Sequence, residues 1–378
     1  MSTNCAFVTN NDDLNSPVPG GVQICSQEYL SIIRLAFEKV VVLNVSISKR
    51  LEDRVLRKTQ IGSYRDYSAS SITKTLHQLE TFRPQVVFIN KVELLRIIPS
   101  IKQILPGVAV VMLSHGNKSG DDLFEISDER SGAQSTIARF RKSLKLGLDI
   151  VTESKYRKIW IDGVCTMSKE ECTIEHWLGC SNTFFFPRLI DKQSTARRPV
   201  LNRIGFIGTL NHPPNRVALE ELFGTHLDTE QEYHVRLVGG PEDFGRQWTS
   251  ALKNVEYLGP LSEEKAKAEM SSWGMFLNPV LWLSRGASMK LATGLRNGIP
   301  VLTTKNGMRG YDIDDSLVHL CGDTAKSMRG ELKFLLENPR HLQQLEARLL
   351  TAENIGPSKT DLAMRFKQFV NQIQFPNS

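Results

Sequence analysis

The stretch Trp273–Thr304, WGMFLNPVLWLSRGASMKLATGLRNGIPVLTT, decides how the chain reads. Met275–Leu277 is a short apolar run of strand length. Asn278–Ala287 carries Pro279 and Gly286 and reads as a loop. Ser288–Leu295 has helical spacing, with Met289, Leu291, Ala292 and Leu295 apolar. Asn297-Gly298 stops that helix, because glycine enters the left-handed C-terminal cap at no steric cost. Pro300 then opens a second apolar run, Val301–Thr304. The stretch is a βαβ unit whose first loop leads into a helix start. Such a start has unpartnered amides and the positive end of the helix dipole, so it suits an anion. Lys290, one turn in, adds a full charge.

The same alternation extends in both directions. Strands are predicted at Ala6–Val8, Val40–Ser46, Gln85–Ile89, Ala109–Leu113, Gly163–Met167 and Thr183–Phe186. A second series follows at Ile204–Ile207, Val235–Val238, Val255–Leu258, Met275–Leu277, Val301–Thr303 and Leu317–Leu320. Amphipathic stretches lie between them, the pattern of parallel sheets covered on both faces. Two series imply an α/β chain of two Rossmann-like, doubly wound domains. The polar, basic run Asp191–Leu201, DKQSTARRPVL, reads as the linker. The domains are therefore expected at 1–195 and 200–357. The helical pattern of Ser358–Gln374 suits a C-terminal helix, within 358–378, that packs back on the first.

Composition narrows the function. A chain of 378 residues has room for two domains, and 40% hydrophobic with 23% charged residues is ordinary for a globular protein. No apolar run approaches the about 20 residues of a membrane span. The N-terminus shows no secretory pattern, so the cytoplasm is the expected location, including the inner face of its membrane. The net charge of +6 is too mild for a large nucleic-acid surface, so no nucleic-acid partner is expected. It fits an enzyme handling anionic small molecules. Six cysteines without a secretory leader read as reduced thiols.

Individual positions carry more. The first loop, Thr9–Val22, holds Pro19-Gly20-Gly21 before the predicted helix Gln23–Leu35. Its glycines would let backbone approach a phosphate, or simply make a turn. His115 follows the strand Ala109–Leu113, at the edge where open parallel sheets bind ligands. Gly208-Thr209 turns the chain after Ile204–Ile207 and could offer amides to a phosphate. Asn215 suits the N-cap of a helix from Arg216. Cys172, His176 and Cys180, four residues apart, would share one helix face as zinc ligands or as core. Gly132–Ile159 sets Arg139, Arg141, Lys142 and Lys145 against Ile137, Phe140, Leu144 and Leu148. That face would suit an anionic acceptor or a peripheral membrane contact, or be merely solvated.

With these residues in place, the chain resembles the GT-B glycosyltransferases, in particular the large retaining family four. The likeness rests on Ile204–Thr209 with Pro214-Asn215, Val235–Gly239, Val255–Gly259 before an acidic helix, and Gly286…Lys290…Gly298-Ile299-Pro300-Val301. It implies two domains facing across a cleft and a sugar moved from a nucleotide-sugar donor to a glycan, lipid-linked, protein or other hydroxyl acceptor. It further implies a hexosyltransferase-type enzyme that retains configuration, with no cofactor and no metal. His115 and Lys290 would be the catalytic pair. Donor binding would fall to Gly20, Gly21, Gly208, Thr209, Asn215, Gly239, Arg285, Gly286, Ala287, Ser288, Met289 and Thr293. Many members have two glutamates where this chain has Arg285 and Thr293, and a basic pair after the glycine turn that Leu210–Asn215 lacks. Arg216, Arg285 or Arg309 would have to compensate. Asp312-Ile313-Asp314 mimics a metal motif but comes after the donor units. These departures motivate an alternative, a catalytically inactive partner or binding subunit of a transferase complex. A sugar-nucleotide epimerase is a third reading, without the acidic residues it normally needs.

Overall fold

The computed structural model describes residues 3–15, 20–46, 51, 67–127, 136–193, 196–225, 227, 229–281 and 286–374. Two compact units emerge, one of residues 1–187, 284–286 and 358–378, the other of 188–283 and 287–357.

In the first unit, strands β1 (Asn4–Thr9), β2 (Lys39–Asn44), β3 (Val86–Asn90), β4 (Ala109–Leu113), β5 (Gly163–Thr166) and β6 (Thr183–Phe185) form one parallel sheet in the order β2-β1-β3-β4-β5-β6. The β-branched and aliphatic runs of β3 and β4 are buried at every position, as expected of strands covered on both faces. The helices are α1 (Gly21–Ala36), α2 (Ala69–Phe82), α3 (Ile98–Ile104), α4 (Lys118–Ser127), α5 (Thr136–Ile159) and α6 (Lys169–Trp177). The C-terminal helix Lys359–Gln374 belongs to this unit, with Phe366 packed among Phe37, Phe88, Phe184 and Phe186.

The second unit repeats the design. Strands β7 (Val200–Ile207), β8 (His234–Val238), β9 (Val255–Gly259), β10 (Trp273–Asn278), β11 (Val301–Thr304) and β12 (His319–Cys321) run parallel in the order β12-β11-β10-β7-β8-β9. Its helices are α7 (Pro213–Phe223), α8 (Glu242–Ala251), α9 (Glu263–Met270), α10 (Met289–Arg296), α11 (Lys305–Met308), α12 (Ala325–Glu337) and α13 (Pro339–Thr351). Central strand β10 is buried throughout and pairs with β7, Ile204 opposite Met275 and Gly205 opposite Phe276. Gly205 is required there, because a Cβ would stand 1.8 Å from the Trp273 ring.

The order in which strands are added reverses once in each sheet, between β1 and β3 in the first and between β7 and β10 in the second. The carboxyl ends of such neighbours diverge into different loops, which leaves a crevice for ligands.

Several local expectations shift. The helix predicted from Arg216 begins at Pro213, with His212 rather than Asn215 as its N-cap. Proline fits a first turn because the amide it lacks would have no helical partner. Asp315–Leu317 is a 3-10 turn rather than the start of β12, capped by Asp314, which accepts from the Ser316 amide at 2.8 Å. The polar stretch from Asp191 is docked on the second unit. The Gln193 amide donates to the Arg296 carbonyl at 2.8 Å, and Arg197 pairs with Glu346 at 2.7 Å. Polar segments held by distant partners leave no periodic trace in sequence. Residues 16–19 of the first loop and 132–135 of the basic stretch lie outside the described residues.

Candidate functional site

In the second unit, backbone and the polar side chains of Asn278, Thr303, Ser288, Tyr311 and Arg188 fix the start of α10 beside β10. Asn278 ends β10 fully buried. Its Nδ2 donates to Thr303 Oγ1 at 2.9 Å, and its Oδ1 accepts from Ser288 Oγ at 2.6 Å. Tyr311 donates its hydroxyl to the Ser288 carbonyl at 2.6 Å. Arg188 reaches Met289 Sδ at 2.9 Å. These contacts hold Ser288, the N-cap of α10, at the carboxyl edge of the sheet. Ala287 packs against the core beside them.

Lys290 projects from the first turn of α10. Its ammonium donates to Asn215 Oδ1 at 2.9 Å and lies 5.6 Å from the centre of the Phe206 ring. Neither group carries a negative charge. Burial lowers the lysine pKa to about 8. Keeping that cation charged costs on the order of 3 kcal/mol relative to water. The cost is present below pH 8 and is relieved as pH rises toward the ordinary lysine value.

Asn215 also donates through Nδ2 to the Thr209 carbonyl at 2.9 Å, so one amide ties Lys290 to the turn after β7. The Gly208 amide is not available to a ligand, since it donates to the Val238 carbonyl at 3.0 Å within the sheet. Gly239 has φ +131°, and a Cβ there would meet the Gly208 carbonyl oxygen at 1.9 Å. Tyr257 donates its hydroxyl to the Gly239 carbonyl at 2.8 Å. The two turns are therefore stacked backbone on backbone. Gly239→Ala is expected to lower stability by roughly 2–4 kcal/mol and displace the Gly208 turn. A melting temperature equal to that of the unsubstituted protein would refute this.

The remaining donor candidates are placed less simply. Thr293 donates its hydroxyl to the Met289 carbonyl at 3.0 Å, one turn back in its own helix. Arg285 lies outside the described residues. Arg216, offered as a compensating cation, is paired with Glu220 at 3.1 Å. Gly286, with φ +73°, is grouped with the first unit, and its amide donates to Glu171 Oε1 at 2.9 Å. A carboxylate thus occupies an amide that the sequence offers to a phosphate.

In the first unit, Gly20 caps α1 and Gly21 opens it. The Gly20 amide donates to Gln23 Oε1 at 3.1 Å. His115 stands just beyond β4, with Nε2 2.8 Å from Asn90 Oδ1 and its ring edge-on to Tyr29. The tautomer follows from the neighbours. Thr9 and Ser26 spend their hydroxyl protons on the carbonyls of Asn10 and Val22. They must then accept from Asn90 Nδ2, at 2.8 and 3.0 Å. Asn90 Oδ1 is left as an acceptor facing His115, so Nε2 carries a proton. The Tyr29 hydroxyl donates to the Ser114 carbonyl at 2.8 Å, which braces the loop.

Beside this, Asp13 and Lys91 form an ion pair at the carboxyl ends of β1 and β3. Burial pushes the Asp13 carboxyl above the usual carboxylate range despite Lys91. Its Oδ2 is buried without a hydrogen-bond partner among the described residues.

Asn90, Asp13, Lys91, Asn278 and Glu171 are absent from the sequence-based candidates. The first loop does show Asp13, and Asn90 ends an apolar run. Nothing local says that these groups meet.

The zinc alternative fails on geometry. Helix α6 ends at Trp177, so Cys180 lies beyond it. His176 engages the Cys180 carbonyl and Thr183 Oγ1, both at 2.9 Å. No cluster of metal-binding side chains occurs among the described residues. None of the six cysteines is in a disulfide.

Residues 202–338 match the family model for Glycosyl transferases group 1. Comparison with curated protein sequences gives no match. Among solved structures, sucrose-phosphate synthase from Thermosynechococcus elongatus has a TM-score of 0.65 at 14% identity, with 100% of both chains covered. The Anabaena protein HepE, in complex with UDP and glucose, has a TM-score of 0.63 at 10% identity, over 98% of this chain and 100% of that one. The apo lipopolysaccharide outer core galactosyltransferase WaaB reaches 0.61 at 12% identity, over 99% of this chain and 100% of that one. These likenesses show the fold, the two-unit α/β architecture known as GT-B.

Proposed function

We propose that the protein is a glycosyltransferase that moves a hexosyl group from a nucleotide-sugar donor to a hydroxyl acceptor, with retention of configuration. The observation that carries this is Lys290, a desolvated cation at the start of α10 whose partners among the described residues are neutral. A site that bears the cost of such a charge is matched to an anion, and a diphosphate supplies one. The matching family model over 202–338 and the UDP bound to HepE support a nucleoside diphosphate as that anion.

In the reaction, the bond between the anomeric carbon and the diphosphate oxygen breaks as the bond to the acceptor oxygen forms. The acceptor proton leaves with the nucleoside diphosphate. Negative charge grows on the diphosphate in the transition state. The first amides of α10 and the Lys290 ammonium stabilise it there, the part a divalent metal plays in other transferases. His115, with its tautomer set by Asn90, is assigned to the sugar by the family resemblance.

Calorimetry with UDP, GDP, ADP and TDP tests the reading. One of them is expected to bind, most tightly below pH 8. Bound phosphate favours charged Lys290, so affinity should fall as pH rises through about 8, the value of the unliganded lysine. The limiting slope is about tenfold per pH unit. Lys290→Arg, charged throughout this range, should flatten the slope. Binding of none of the four nucleotides would refute the proposal, and binding without turnover of any donor would favour a non-catalytic subunit.

A further inference from the structure

Helix α5 is built inside out. Its inward face is charged, with Asp149, Glu153 and Arg157 all buried. Arg157 grips Glu175 of α6 through Nε and Nη2, the latter 2.8 Å from Oε1. Glu153 Oε2 accepts from Ser119 Oγ of α4 at 2.6 Å. Lys145 pairs with Asp122 of α4 and lies 3.4 Å from Asp149 Oδ2. The outward face is apolar. Ile137, Phe140, Leu144, Leu148 and Val151 are 43% to 68% exposed. Their spacing of three and four residues puts them in one stripe.

A surface helix ordinarily turns its apolar stripe inward. Here rotation would break the pairs of Arg157 with Glu175 and of Lys145 with Asp122, so the ion pairs fix the orientation. The apolar stripe therefore faces out for a reason other than poor packing.

The charges around the stripe indicate what covers it. Arg139, Arg141, Lys155 and Lys158 are exposed on this helix, whereas both of its carboxylates, Asp149 and Glu153, are buried. The exposed charge on the helix is all positive. A second copy of the chain docking through the same face would set cation against cation. An anionic surface would not.

We propose that α5 lies on an anionic lipid bilayer. The five apolar side chains enter the boundary between headgroups and acyl chains, and the cations meet lipid phosphates. This is the arrangement physical chemistry favours for an amphipathic helix with basic flanks.

The test is co-flotation of the full chain with vesicles, in the absence of nucleotide. The probes are pure phosphatidylcholine and phosphatidylcholine mixed with phosphatidylglycerol. The protein is expected to float with the mixed vesicles and at least about tenfold less with the neutral ones. Phe140→Ser combined with Leu144→Ser should abolish flotation with an unchanged melting temperature, since both side chains are exposed. Arg139→Glu combined with Arg141→Glu should remove the preference for the anionic lipid. An unsubstituted protein that stays off both vesicles, or a serine variant that still floats, overturns the proposal. So does a dimer in sedimentation that the serine variant dissolves without any flotation, which would give the face to a second copy. None of these readings depends on sugar transfer, so that reading stands or falls separately.

Discussion

Lys290→Ala is expected to lower kcat/KM for sugar transfer about 100- to 1000-fold, the range seen when one donor is removed from a site of developing negative charge. Nucleotide affinity should fall with it. The stability signature is the useful control. Among the described residues this ammonium meets Asn215 and the Phe206 ring, both neutral, and burial depresses its pKa. Removing it relieves a desolvation cost, so the melting temperature should not drop. A residue kept for stability would show the opposite pattern, with activity lost only as fast as folded protein. Steady-state kinetics and thermal melts on the same preparation separate the two. An unchanged rate in Lys290→Ala would remove the phosphate role.

Glu175→Ala should have the largest effect on folding, a loss of about 3–5 kcal/mol. Arg157 and Glu175 are fully buried side chains in a two-pronged contact. Truncating the acid removes the carboxylate that Arg157 grips through Nε and Nη2, inside the protein where water cannot replace it. The measurement is the urea midpoint of the unfolding transition. Changing both partners, Arg157→Met with Glu175→Leu, should recover most of the loss, because neither charge is then stranded. Recovery distinguishes a charge effect from a packing effect. If the double variant is as unstable as the single one, shape rather than charge holds α5 to α6.

Much of the architecture was legible from local pattern. The run Ala109–Leu113 is apolar at every position and is a strand with those bounds. Val301–Thr304, ended by a threonine that caps the next turn, is likewise read without help. Such elements announce themselves because burial on both faces requires an unbroken apolar run. Pro213 and Pro214 hide the start of α7, since proline looks like a loop residue unless it sits in a first turn. The contacts of the stretch from Asp191 leave no such mark, as they are made with partners far along the chain.

The sequence by itself determined that this protein has two series of parallel strands, and that a helix start carrying Lys290 follows the tenth of them. Periodicity and turn chemistry are local, so a single chain segment states them. Only the tertiary structure decided that Asn215 would hold Lys290 rather than cap a helix, that Asn90 would set the proton on His115, and that the apolar stripe of α5 would face outward. Those outcomes depend on which strands become neighbours and which charges find partners, and no window of sequence contains both members of the pairs concerned.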